Sequence, residues 1–163
     1  MTRVENIRHL FLHPLPSYPL PSAAKLLGME RRELRRWLKS GEIEGERTGD
    51  GVVIPWGELA SFAMEWWSQE VVEEALGAEV AEVIPELLRL AELEVRIPRM
   101  EVLALERVAA RDGKSVDAVL ARELLDFVSG HSEWLSREVA GFAEAFAWPE
   151  MGFVVPQTPD LAG

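Results

Sequence analysis

The chain has 163 residues, 48% of them hydrophobic, and a formal net charge of −11. That apolar share is enough to bury a core and excludes a disordered acidic tail. The sequence has no cysteine, which excludes disulfides, thiolate catalysis and cysteine-ligated zinc.

Its length suits one ordinary domain or two small ones. The opening stretch, MTRVENIRHLFLHPLPSYPLP, carries Glu5 and only a brief apolar run, which does not match a secretory signal. No apolar run reaches the length of about 18 residues that a membrane span needs. A soluble cytoplasmic protein with no membrane partner is the expectation.

Pro14, Pro16, Pro19 and Pro21 predict an extended N-terminal arm over residues 1–20. Ser22 is placed as the N-cap of a short helix, AAKLLG, ending at Gly28. A second helix runs from Met29 to Ser40 and closes at Gly41. The segments EIEGER, TGDG and VVIP read as two short strands around a Gly-Asp-Gly turn. In WGELASFAMEWW helical periodicity returns, with Leu59, Phe62, Ala63 and Trp66 on one side. These elements form an expected unit over residues 21–67.

Residues 68–92 read as an acidic helical connector with a second segment starting at Pro85. The stretch LEVRIPR then predicts a short strand with Leu93, Val95 and Ile97 on one face. Two helices follow, broken at DGK, the second capped by Ser115 and closed by Gly130. Residues 93–130 therefore make a strand-helix-helix module. An amphipathic helix over 131–150 and an irregular tail over 151–163 complete the chain. The fold class expected is α+β, mostly α.

The charge distribution singles out one segment. Between Ser22 and Glu58, seven bases (Lys25, Arg31, Arg32, Arg35, Arg36, Lys39, Arg47) balance seven acids (Glu30, Glu33, Glu42, Glu44, Glu46, Asp50, Glu58). All of the net negative charge lies outside it. At about 100° per residue, Arg32, Arg35, Arg36 and Lys39 share one stripe of the second helix. Leu34, Trp37 and Leu38 fall opposite. One face anchors in a core and the other is a cationic ridge, rich in the residue whose planar fork suits phosphate and guanine.

Ala24 is small enough for two helices to cross closely, and Gly28 accepts a left-handed turn between them. With AAKLLGM, RRWLKSGEI, the hairpin and IPWGELASF in this order, the stretch resembles the excisionase-like, MerR-type winged helix-turn-helix domain. That resemblance implies a second helix in the DNA major groove and a wing along the phosphate backbone. It implies groove contacts from Arg32, Arg35 and Arg36 and phosphate contacts from Lys39 and Arg47. Ser22, Lys25 and Arg31 complete the DNA-binding set. The chain departs from the family at the wing, where Glu42, Glu44 and Glu46 replace the usual cations and Arg47 is the lone base.

A lone strand cannot satisfy its own backbone, and the simplest partner is the same strand of a second copy. VRIP, LERVAARDGKS and SVDAVLARELL accordingly resemble the ribbon-helix-helix fold of bacterial repressors and antitoxins. That resemblance implies a homodimer, with Leu93, Val95, Ile97, Leu120 and Leu124 at the interface. Paired strands would present Glu94 and Arg96 outward, one of them with the wrong sign for DNA, which favours dimerisation over DNA reading. The alternative is that this strand joins a sheet of its own chain.

His9, His13 and His131 lack companion ligands at useful spacing, so no metal or cofactor is expected. No phosphate loop or nucleophile elbow is present, and no enzymatic activity is expected. The six tryptophans read as core and dimer packing, with partner binding second. The expectation is a bacterial transcriptional regulator that binds double-stranded DNA as a homodimer. Two alternatives stand beside it: an antitoxin that represses its own promoter and occupies a small partner protein, and an adaptor that reuses the helix-turn-helix scaffold for protein contacts.

Overall fold

A computed structural model describes residues 1–149, so the expected tail over 151–163 lies outside the described residues. The protein is mostly helical, with a small three-stranded antiparallel sheet in the order β1-β3-β2. It divides into two compact units. The first is Met1–Leu90 together with residues 144–149, and the second is Ala91–Ala143.

Helix α1 (Arg3–Leu12) opens the first unit, where the four prolines predict an extended arm. Thr2 and Glu5 form a capping box that satisfies the first turn. Ile7, Leu10 and Phe11 follow at helical spacing and are fully buried. The prolines stop this helix at its C-terminal end; they do not prevent it. Strand β1 (Ser17–Pro19) then pairs with β3, a third strand that the hairpin reading lacks.

Helix α2 (Leu20–Leu27) begins before Ser22, which lies inside it and not at its N-cap. Pro21 sits in the first turn, where its missing N–H costs nothing. Gly28, at φ 69°, turns the chain into α3 (Arg31–Ser40). The Met29 amide donates to the Ala24 carbonyl at 3.0 Å and closes the end of α2. Strands β2 (Glu46–Thr48) and β3 (Gly51–Pro55) form the expected hairpin, joined by Gly49 and Asp50. Helix α4 (Trp56–Trp66) leaves directly from β3.

The core lies among α1, α2, α4 and the inner face of the sheet. Leu10, Phe11, Ala23, Ala24, Leu34, Ile43, Ile54, Leu59 and Ala63 are all essentially inaccessible. The acidic stretch that follows is no detached connector. Helices α5 (Gln69–Leu76) and α6 (Val80–Val83) bury Val72, Leu76, Val83 and Ile84 in this same core. Its acids lie on the outer side, so one amphipathic segment both packs and carries charge. Pro85 starts only a single 3-10 turn, Glu86–Leu88.

Helix α7 (Arg99–Asp112) and helix α8 (Val116–Gly130) form an antiparallel pair in the second unit. Ser115 caps α8, accepting a bond from the Ala118 amide. Asp112 binds Arg111 at 2.9 Å and Arg122 of α8 at 3.5 Å, tying the two helices together. The expected strand over 93–97 is absent among the described residues of one chain: residues 91–98 have no ladder partner there and no regular structure. A strand exists only against a neighbour that takes its backbone bonds. The final amphipathic helix is interrupted, giving α9 (Ser132–Glu138) and α10 (Phe142–Ala147).

The last described turn belongs to the first unit. Trp148 stacks on Phe11 at 6.4 Å between centroids and meets the edge of Trp56 at 6.2 Å. The second unit is thus inserted between two segments that both build the first core.

Candidate nucleic-acid interface

Helix α3 is strongly two-faced. Leu34 is fully buried, with Trp37 and Leu38 half-buried against the core. Arg31, Arg32, Arg35, Arg36 and Lys39 are exposed. None of these five cations forms an ion pair among the described residues, where the salt bridges join Arg8 to Glu79 and Asp112 to Arg111 and Arg122. An unpaired, exposed cationic ridge on a firmly anchored helix is free to meet a polyanion.

Three contacts fix that ridge. Trp37 of α3 meets the edge of Phe62 of α4 at 5.6 Å. Phe62 in turn stacks on Trp66 at 6.2 Å. The Trp66 indole N–H then donates to the Leu27 carbonyl at 3.0 Å, at the last residue of α2. Helix α4 therefore braces both helices on either side of the Gly28 turn.

The hairpin stands beside α3 and is held at its root. Ile43 is buried, and the Glu44 amide donates to a carboxylate oxygen of Glu58 at 3.2 Å. Gly45 has no room for a side chain: a Cβ there would lie 2.8 Å from Val52 Cγ1 and 3.1 Å from Leu38 Cδ2. Strand β2 is exposed along its whole length, so Glu46, Arg47 and Thr48 face solvent. Arg47 pairs across the ladder with Val52.

Of the eight residues that the sequence assigns to DNA contact, all are exposed. Arg31, Arg32, Arg35, Arg36 and Lys39 share α3, Ser22 and Lys25 lie on α2, and Arg47 lies on β2. Sequence reasoning missed the bracing by Trp66, because an indole bond to a carbonyl 39 residues away has no local signature.

The residues assigned to dimerisation lie in the second unit. Leu93, Val95 and Ile97 are 80%, 50% and 37% exposed, and Leu124 is 45% exposed, while Leu120 is half-buried. They belong to a larger uncovered apolar set that includes Met100, Leu103, Leu125, Phe127 and Trp134. In the whole unit only Ala109 and Val119 are buried apolar residues.

Among the described residues no helix is long and apolar enough to cross a membrane, and no group of three or more metal-ligating side chains converges. No protein-family model, no curated protein and no solved structure matches the chain.

Proposed function

We propose that the chain is a sequence-specific DNA-binding protein, a bacterial transcriptional regulator, in which residues 21–67 act as a winged helix-turn-helix domain of the excisionase-like, MerR type. The observation that carries this reading is the row of exposed cations on α3 without ion-pair partners among the described residues. Arg32, Arg35 and Arg36 enter the major groove, while Lys39 contacts phosphate. Ser22, Lys25, Arg31 and Arg47 lie around that contact. The test is a mobility shift with duplex DNA, whose affinity falls steeply as salt rises.

The second unit pairs two copies. Its support is the uncovered apolar set around Leu93, Val95, Ile97 and Leu124, since grouped exposed apolar side chains mark interaction surfaces. In the ribbon-helix-helix reading, residues 93–97 of two chains form a two-stranded antiparallel ribbon, which supplies the ladder that one chain lacks. Two recognition helices per particle then read spaced half-sites. Sedimentation tests this part: a dimer is expected, and a monomer at micromolar concentration contradicts it.

A further inference from the structure

The hairpin beside the cationic helix carries Glu42, Glu44, Glu46 and Asp50, all exposed, against the single base Arg47. None of the four forms an ion pair or side-chain hydrogen bond with another described residue. Their backbone is also pinned. Ile43 is sunk in the core between Glu42 and Glu44, and the Glu44 amide is held by Glu58. Gly45 is pressed against Leu38 of α3 and Val52 of β3 with no space for a Cβ. Three glutamates therefore stand at a fixed place next to the end of the cationic ridge.

We infer that this acidic wing repels the phosphate backbone and so lowers the sequence-independent part of DNA affinity, which leaves stable binding dependent on the base contacts of α3. The inference rests on the DNA-binding reading of α3. Non-specific affinity comes from summed phosphate contacts, whereas base contacts made by α3 in the groove add only on a cognate sequence. Fixed negative charge beside the ridge subtracts from the first term on every sequence. Cognate and random affinity fall by the same factor, so at low protein concentration only a sequence on which Arg32, Arg35 and Arg36 add base contacts stays bound. A mobile acidic loop could swing away from the duplex, but a wing held by Ile43, Gly45 and Glu58 cannot.

The experiment compares three full-length proteins on a random-sequence duplex over a range of salt: wild type, E42Q/E44Q/E46Q, and E70Q/E74Q/E82Q. The last removes three exposed glutamates from α5 and α6, so both variants change the net charge equally. The wing variant is expected to bind random duplex about tenfold more tightly at low salt, an advantage lost near 1 M salt, where screening acts within about 3 Å. The α5–α6 variant is expected to gain much less. Equal gains in both variants would show an effect of net charge alone and overturn the inference. Unchanged or weaker binding by the wing variant would overturn it too, placing the glutamates as bystanders or as direct contacts. If no protein binds duplex at any salt, the DNA-binding reading itself fails and takes the wing with it, an outcome distinct from the other two.

Discussion

The indole N–H of Trp66 donates to the carbonyl oxygen of Leu27 at 3.0 Å, joining the end of α4 to the last residue of α2. That carbonyl belongs to a helix C-terminus and lacks an intrahelical donor. Trp66→Phe keeps the stack on Phe62 but removes the donor. Chemical denaturation is expected to show a loss of about 1 kcal/mol, and Trp66→Ala a larger one because the stack goes too. Equal stability of Trp66→Phe and wild type would show that the bond contributes nothing to the brace.

A second tie secures α1 to α5. Arg8 Nη1 donates to the carbonyls of Ala75 and Leu76 at 3.2 and 3.3 Å, and its other terminal nitrogen pairs with Glu79. A guanidinium at a helix C-terminus satisfies orphan carbonyls and sits at the negative end of the helix dipole. Arg8→Met, which keeps the apolar stem, is expected to destabilise the first unit by about 1–2 kcal/mol. Glu79→Gln is expected to cost less, since its partially exposed pair is screened by water. The ranking of the two variants in thermal unfolding checks the assignment.

Tyr18 is the only tyrosine in the chain, so its titration can be followed without ambiguity. Burial pushes its hydroxyl pKa up from the ordinary value of 10.0, while the bond from the Leu15 amide at 2.9 Å pulls the other way. A folded-state pKa raised above the unfolded one contributes stability that is present below the unfolded value and lost as pH rises through the folded one. Phenolate absorbance of the native protein is therefore expected to rise at higher pH than that of the protein in denaturant. Coincident curves would contradict the buried setting of Tyr18. Tyr18→Phe is expected to flatten the alkaline side of the stability profile.

The candidate interface was largely legible in the sequence because helix periodicity is a local property. The spacing of Arg32, Arg35, Arg36 and Lys39 against Leu34 and Trp37 suffices to separate the two faces of α3. Gly28 and Gly41, both in the left-handed region, mark its boundaries. Helix α1 was hidden behind the prolines, although Thr2, Glu5 and the spacing of Ile7, Leu10 and Phe11 carried its signal. The role of 68–92 in the core was not legible. Whether Val72 and Leu76 face a core depends on where α1 lies, which is a tertiary fact. Likewise, alternation in LEVRIPR signals strand propensity but not the neighbour that a strand requires.

The return of Trp148 to Phe11 and Trp56 was beyond local reading for the same reason. Its removal now has a clear expectation. Trp148→Ala takes a half-buried aromatic ring from a three-ring cluster, a change expected to cost about 2–3 kcal/mol, less than the loss of a fully buried ring. The loss should appear in the unfolding of the first unit, although the substitution lies more than sixty positions beyond Ile84 in that core.

Charge reversal at two adjacent arginines probes DNA binding by the exposed face of α3. Arg35 and Arg36 are exposed and make no ion pair among the described residues, so Arg35→Glu with Arg36→Glu leaves the packing of Leu34 and Trp37 intact. Wild-type protein is expected to shift duplex DNA in a salt-dependent manner, and the double variant to lose that shift while keeping its circular dichroism and melting temperature. A folded double variant that binds as tightly as wild type would show that this face of α3 is not the DNA-binding surface.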